Sequence, residues 1–414
     1  MRTGSRLAGL ECRACCTSTV ANAPVGTCPT CGHTLFATYD TSAWDAQRWW
    51  SDLPRRPATL WRYRELLPVQ ATEQIASLGE GFTPILDLGE GVGAPGVRVS
   101  AKDDGTLPTG SFKARGMAVA VSRAKELGLR ELFVPSAGNA GTALAAYSAR
   151  AGLTARVYVP EKTPDAIKRA IRSYGAHLVE VPGTIREAGE MARTSEKGRG
   201  SFDLSTLREP YRVEGKKTMG LEIVEQTGPE GLPDAILYPT GGGTGLVGMA
   251  KAFRELRSLG LLERTPRLYA VQPEGCAPVV RAISDGAPRV TPWPNPRTIA
   301  PGLLVPSPFA SERILEAVRE SRGGGVTVTD REIVRAMSDL SFRHGVSASP
   351  EAAAPYAALP KLLREGAIRS GERVLLYLTG TGLVFSVDEL ERALAAESEP
   401  GGGDPPRPAT SAGA

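Results

Sequence analysis

Short apolar runs recur along most of this chain, separated by stretches of helical length, and the pattern predicts alternating strands and helices. The runs fall at residues 132–134, 156–159, 177–181, 236–238, 268–272 and 374–378, with helical stretches such as 142–150 and 246–259 between them. That alternation predicts parallel sheets with helices packed on them, an α/β fold class. Residues 121–212 read as a smaller inserted α/β domain. Residues 38–120 and 213–396 then form the larger one, and a site is expected between the two at the carboxyl ends of strands. The end of the chain, 397–414, is rich in Pro and Gly with few apolar residues, so a disordered tail is expected. No internal repeat is found.

Chemistry gathers where the pattern breaks. Residues 108–116 read Pro-Thr-Gly-Ser-Phe-Lys-Ala-Arg-Gly, a small-residue turn that sets Lys113 at the opening of an apolar helix. A lysine ammonium is a poor nucleophile, and a helix N-terminus beside another cation such as Arg115 can lower its pKa. Lys113 is therefore the candidate Schiff-base nucleophile; the plainer reading is a surface lysine after a turn. After the run at 236–238 comes Pro-Thr-Gly-Gly-Gly-Thr-Gly, residues 239–245. Consecutive glycines let backbone N–H groups converge on an anion, and the following helix adds its positive end. Gly241, Gly242, Gly243 and Thr244 thus form a candidate phosphate cup. It is not a nucleotide P-loop, because no Gly-Lys-Ser/Thr follows.

A second turn, Ser136-Ala137-Gly138-Asn139-Ala140-Gly141, again lies between a strand and a helix. Its backbone N–H groups suit a carboxylate, and the Asn139 amide suits a phenolic oxygen. A third strand ends in Thr379-Gly380-Thr381-Gly382, where the Thr379 hydroxyl can face a pyridine nitrogen and leave it neutral.

With these motifs the chain resembles fold-type II pyridoxal-phosphate enzymes, and within them the threonine synthases most closely. The resemblance extends to Leu-Gly-Glu-Gly-Phe-Thr-Pro at 78–84 and to Pro-Tyr-Arg-Val-Glu-Gly-Lys-Lys-Thr at 210–218. It implies two parallel-sheet α/β domains and a lyase that converts O-phospho-L-homoserine and water to L-threonine and phosphate. It further implies that Lys113 binds pyridoxal 5'-phosphate covalently and then shuttles protons, while Gly241, Gly242, Gly243 and Thr244 hold the cofactor phosphate. Asn139 would meet the ring oxygen and Thr379 the ring nitrogen. Ser136, Ala137 and Gly138 would receive the substrate carboxylate, and Arg212 the substrate phosphate, where a guanidinium is well suited. A salt bridge from Arg212 to Glu214 or Glu209 is the structural alternative. Lys216, Lys217, Ser205 and Thr206 are weaker candidates for the same anion pocket, and Gly302 and Glu351 match segments near the site. Two positions depart from the pattern: Ala114 stands where many threonine synthases carry Asp, and Thr381 where many carry His. A dehydratase or β-replacement enzyme on serine, threonine or an O-activated amino acid is the alternative, and a non-catalytic regulator on the same fold is a third.

Composition bounds the rest. The 414 residues, 41% hydrophobic, suffice for two cores. A net charge of +4 without a basic, aromatic-laced run gives no reason to expect nucleic acid. There is no apolar stretch of membrane-spanning length and no hydrophobic signal segment, so a cytoplasmic enzyme is expected. Relatives of this type are often dimers, and a homodimer is expected here. None of the three histidines lies in a motif suited to a Ser-His-Asp hydrolase. Five of six cysteines lie near the N-terminus, as Cys12-x-x-Cys15-Cys16 and Cys28-x-x-Cys31. Two such knuckles can present four thiolates to zinc, so residues 1–37 read as a zinc-ribbon-like element with Cys12, Cys15, Cys28 and Cys31 as ligands and a structural metal. Cys16 is an alternative ligand, and Cys276 is expected to be a packed thiol.

Overall fold

The computed structural model describes residues 4–89 and 96–396; the expected tail at 397–414 lies outside the described residues. The chain opens with three short strands, β1 (Leu7–Cys12), β2 (Ser18–Thr19) and β3 (Leu35–Tyr39), followed by α1 (Ala46–Asp52). They form an antiparallel sheet in the order β2-β1-β3, with Leu10 opposite both Thr19 and Ala37.

Next come β4 (Ile85–Gly89), β5 (Arg98–Asp103) and α2 (Lys113–Glu126), then β6 (Glu131–Pro135), α3 (Asn139–Ala151), β7 (Thr154–Pro160), α4 (Asp165–Ser173), β8 (His177–Val181), α5 (Ile185–Glu196) and β9 (Phe202–Asp203). The chain continues with α6 (Arg212–Gly231), β10 (Ala235–Pro239), α7 (Thr244–Ser258), β11 (Arg267–Pro273), α8 (Pro278–Ser284) and α9 (Ser311–Glu320). It ends with β12 (Gly324–Val328), α10 (Asp330–His344), α11 (Pro350–Arg364), β13 (Arg373–Leu378) and α12 (Val387–Ala396).

Two larger sheets result. Strands β8-β7-β6-β9 form a parallel four-stranded sheet, and β12-β11-β10-β13-β5-β4 a six-stranded one that is parallel except for the antiparallel edge pair β4–β5. All six expected strands are present as β6, β7, β8, β10, β11 and β13. Strands β5 and β12 escape the hydrophobic pattern for physical reasons. In β5 the inward Lys102 is fully buried and paired with Glu222 at 2.8 Å, so a charged residue occupies a core position. In β12 two glycines replace apolar side chains because α8 packs close: a Cβ on Gly325 would sit 3.1 Å from the Val280 Cα. Helix α2 runs unbroken across position 120/121, and its buried residues share one core with β6, β7 and the N-terminal element.

The contact that shapes the site is the crossing of α2 and α6. A Cβ on Gly215 would collide with the Arg115 carbonyl, and one on Gly116 would come 3.0 Å from the Arg212 carbonyl and 3.3 Å from the Lys216 Cε. Glycine costs a helix up to about 1 kcal/mol in propensity, and these two, each the fourth residue of its helix, let the helices touch backbone to backbone. The buried Arg115 fastens the crossing, bonding Asp104 at 2.7 Å and Glu222 at 2.5 Å, while Tyr377 donates to Asp104 at 3.0 Å. We expect Gly215→Ala to destabilise the fold by about 1–3 kcal/mol through this overpacking. A chemical-denaturation midpoint equal to that of the unsubstituted protein would contradict the close crossing.

Candidate active site

Strand register brings the expected turns together. Leu237 of β10 pairs with Leu376 of β13, and Leu378 with Asp103 of β5, so the carboxyl ends of three strands lie side by side. The Thr379 carbonyl accepts from Phe112 N at 2.9 Å, the Gly110 carbonyl from Thr381 N at 2.9 Å, and the Gly380 carbonyl from Ser349 N at 3.0 Å. The closing turn of β13 is therefore stitched to the residue before Lys113 on one side and to the start of α11 on the other. Thr379 itself is buried.

Lys113 is the first residue of α2 and is half-buried, its amine 4.2 Å from the centre of the Phe112 ring. Burial pushes the amine down to about 7, with the Arg212 guanidinium acting in the same direction and Glu351 against it. The expected contribution of Arg115 is corrected here: its guanidinium is neutralised by Asp104 and Glu222, and the cation that acts is Arg212, delivered by the helix crossing. Lys216, one turn after Arg212, reaches the same place. It is 1% exposed, its ammonium lies 3.8 Å from the Phe112 ring centre, and it donates to the Phe112 carbonyl. Burial, then Lys113 and Arg212, hold it well below the ordinary lysine range.

The glycine cup follows β10 as expected. Gly243 has φ +69°, the left-handed region that favours glycine, and Gly241 packs against the Gly302 carbonyl where a Cβ would collide. Among the described residues no acceptor meets the backbone N–H groups of Gly241, Gly242, Gly243, Thr244 or Gly245, which converge on the N-terminus of α7. Five adjacent unpaired donors at a helix start are built for an anion of phosphate size.

Around Asn139 the picture differs in part from the expectation. Ser136 N already donates to the Tyr158 carbonyl at 2.9 Å, and Gly138 N to the Ser136 hydroxyl at 3.2 Å. Those two N–H groups are occupied, so the donors left for a carboxylate are Ala137 N and the free first-turn N–H groups of α3, Asn139 and Ala140. The Ser136 hydroxyl shapes the turn, also accepting from Gly141 N at 2.9 Å.

Arg212 is 2% exposed, and among the described residues it makes no salt bridge. Glu214 pairs instead with Lys217 at 2.7 Å and Lys251 at 3.1 Å, while Glu209 accepts the backbone N–H groups of Tyr211 and Arg212. Burial pushes the Glu209 carboxyl up to about 7. The Arg212 Nη1 donates to the Leu204 carbonyl, and its buried Nε has no partner. Glu209 and Asp203 act on the guanidinium at longer range, and a buried guanidinium with a free Nε and no carboxylate in direct contact suits a ligand anion. Further unpaired buried hydroxyls occur at Ser111, on the turn before Lys113, and at Thr142, in the first turn of α3.

Of the weaker candidates, Thr206 lies against the cup, 3.0 Å from where a Gly242 Cβ would stand. Ser205 is tied to Asp203, and Lys217 belongs to the Glu214–Glu255–Lys251 cluster beneath Tyr39, away from the anion pocket. Glu351 does not cap α11, since Ser349 does so; its carboxylate accepts from Gly302 N at 2.7 Å and so joins the cup wall to the surroundings of Lys113. Cys276 is a buried thiol.

At the N-terminus the Sγ atoms of Cys12, Cys15, Cys28 and Cys31 lie within 4.8 Å of one another, a group that could hold a metal ion. Cys16 takes φ +59° in the first knuckle and stands outside that group. Among the described residues no helix is long and apolar enough to cross a membrane.

Residues 76–380 match the family model of pyridoxal-phosphate dependent enzymes. Threonine synthase of Methanocaldococcus jannaschii is 35% identical over 372 residues, covering 89% of this chain and 90% of the relative. Threonine synthase of Methanosarcina acetivorans is 35% identical over 378 residues, covering 90% and 91%. Among solved structures, a threonine deaminase from T.th. is 31% identical with a TM-score of 0.61, covering 73% of this chain and 94% of that one.

Proposed function

Because this chain belongs to the pyridoxal-phosphate dependent enzymes, and within them to the threonine synthases, we propose that it converts O-phospho-L-homoserine and water to L-threonine and inorganic phosphate. When bound, pyridoxal phosphate supplies an electron sink for carbanions that form on the substrate. The residues present fit such a group: a lysine amine lowered to about 7, a cup of five unpaired N–H groups, and the hydroxyl of the buried residue Thr379.

Lys113 would hold the cofactor through its amine and would move protons at the substrate Cα and Cβ. The cup from Gly241 to Thr244 would hold the cofactor phosphate, Asn139 the ring oxygen and Thr379 the ring nitrogen. Ala137 N and the first turn of α3 receive the substrate carboxylate. Arg212 binds the substrate phosphate, whose loss from Cγ precedes water addition at Cβ.

The observation that carries this reading is Arg212 itself, a buried guanidinium with an unpaired Nε next to Lys113. An elimination enzyme acting on an unphosphorylated amino acid has no use for a third anion site beyond the cofactor cup and the carboxylate turn. The test is to incubate the purified protein with O-phospho-L-homoserine and follow phosphate and threonine together. Equal amounts of both are expected; phosphate with 2-oxobutyrate would instead mean elimination without water addition.

For the cysteine group the proposal is one structural zinc. A tetrahedral site with Zn–S bonds of about 2.3 Å needs sulfur–sulfur edges of about 3.8 Å. Two of the edges measure 3.4 Å (Cys12–Cys31) and 3.7 Å (Cys15–Cys28). We expect about one zinc per chain by elemental analysis, lost in Cys28→Ser and retained in Cys16→Ser; loss in Cys16→Ser would reassign the ligand set.

A further inference from the structure

The cysteine element does more than append a metal to the fold, because it grips the segment that carries Arg212. Thr34, three residues after Cys31, is 5% exposed, and its hydroxyl donates to the Leu207 carbonyl at 2.7 Å across 173 residues of sequence. Leu207 is buried and sits at φ +58°, a left-handed conformation that costs an L-residue roughly 1–2 kcal/mol and persists only where surroundings enforce it. Its neighbour on the ribbon side is equally close: a Cβ on Gly26 would stand 3.0 Å from the Arg208 carbonyl. On the site side, the same segment places Thr206 against Gly242, uses Glu209 to cap α6, and offers the Leu204 carbonyl to the Arg212 guanidinium. Behind it, Cys12, Cys28 and Leu35 share a core with Ala114, Met117 and Tyr211, and Arg123 of α2 donates to the Ala21 carbonyl. Both walls of the candidate site, the start of α2 and the approach to α6, thus lean on the cysteine element.

We propose that Thr34 is a positioning residue for the anion pocket: through Leu207 it holds residues 204–212 in the conformation that presents Arg212, and the four-cysteine knuckles hold Thr34. The proposal rests on the reading of Arg212 as the phosphate-binding residue. It bears more on the Arg212 pocket, whose guanidinium bonds the Leu204 carbonyl of the segment, than on the glycine cup of α7, which the segment meets through Thr206. Loss of the Thr34 hydrogen bond then weakens phosphate binding more than cofactor binding.

The test compares Thr34→Val, which keeps the shape and removes the hydroxyl, with Thr34→Ser, which restores it. In the cofactor-loaded protein, inorganic phosphate binding by calorimetry and KM for O-phospho-L-homoserine should weaken about five- to tenfold in Thr34→Val, the size expected for one buried hydrogen bond. Thr34→Ser should stay within about twofold of the unsubstituted protein, and cofactor absorbance should be unchanged in both. Hydrogen exchange over 204–212 should accelerate in Thr34→Val alone. Unchanged exchange there, or cofactor loss in step with phosphate affinity, would overturn the positioning role. Faster exchange in a protein whose Arg212→Ala variant binds phosphate normally would leave the brace standing and remove the phosphate assignment instead.

Discussion

Replacing Lys113 by alanine should abolish covalent cofactor and lower turnover by at least about a thousandfold, since one side chain serves as nucleophile and proton carrier. The readout is the visible absorbance of the bound cofactor, together with a lysine adduct at position 113 by mass spectrometry after borohydride reduction. An active Ala variant carrying the adduct elsewhere would sink the assignment. The pH dependence has a definite sign. Only the neutral amine attacks an aldehyde, and a lysine at the ordinary 10.4 is neutral in about one molecule in a few thousand at pH 7. With burial and Arg212 pushing Lys113 down to about 7, about half the molecules are ready. Cofactor capture by stripped protein should therefore rise with pH through about 7 and then level off. A rate still climbing toward pH 10 would contradict the lowered value. The same shift opposes stability: between about 7 and the ordinary lysine value the unfolded chain holds a proton the native chain does not. That cost is full below about 7 and fades as pH rises through the window.

How much of this was legible in the sequence depends on how local each feature is. Lys113, the cup at 241–244 and the Cys12–Cys31 group are written in short segments whose spacing fixes their geometry, and β10, the strand that presents the cup, is uniformly apolar. The partners that make them work are not adjacent in sequence. Arg115 lies two residues from Lys113 and looked like the cation that tunes it, yet Asp104 and Glu222 neutralise it. Arg212, 99 positions away, takes that place only because Gly116 and Gly215 allow two helices to touch. Neither glycine signals a crossing until both are seen together. Glu351 and Gly302 fell in recognisable segments, but their bond to each other, 49 residues apart, is a property of the closed sheet ends. The turn at Ser136 shows the reverse failure: in a motif read as open donors, Ser136 N is spent on the Tyr158 carbonyl of β7 and Gly138 N on the Ser136 hydroxyl.

Replacing Arg212 by alanine should lower kcat/KM for O-phospho-L-homoserine by about a hundredfold or more while leaving cofactor loading nearly intact. Truncating one partner of a buried charge pair costs about 2–5 kcal/mol, because the other charge stays desolvated and unpaired. Here the stranded partner would be the substrate phosphate. The cup is a separate set of donors on α7, so cofactor absorbance at saturating pyridoxal phosphate should match the unsubstituted protein. A second effect follows from the helix crossing. Removing the guanidinium takes away the cation that helps hold the Lys113 amine down, so the midpoint of cofactor capture against pH should move upward from about 7. Burial, the largest cause of the shift, remains in the variant, opposed by Glu351, so the midpoint should stay well short of the ordinary lysine value. Arg212→Lys discriminates between charge and shape. A point charge at 212 should restore most of the midpoint but little of kcat/KM, since an ammonium cannot reproduce a guanidinium's forked donors. Full recovery of both by lysine would mean that the pocket senses charge alone, and unchanged kinetics in the alanine variant would take Arg212 out of the site.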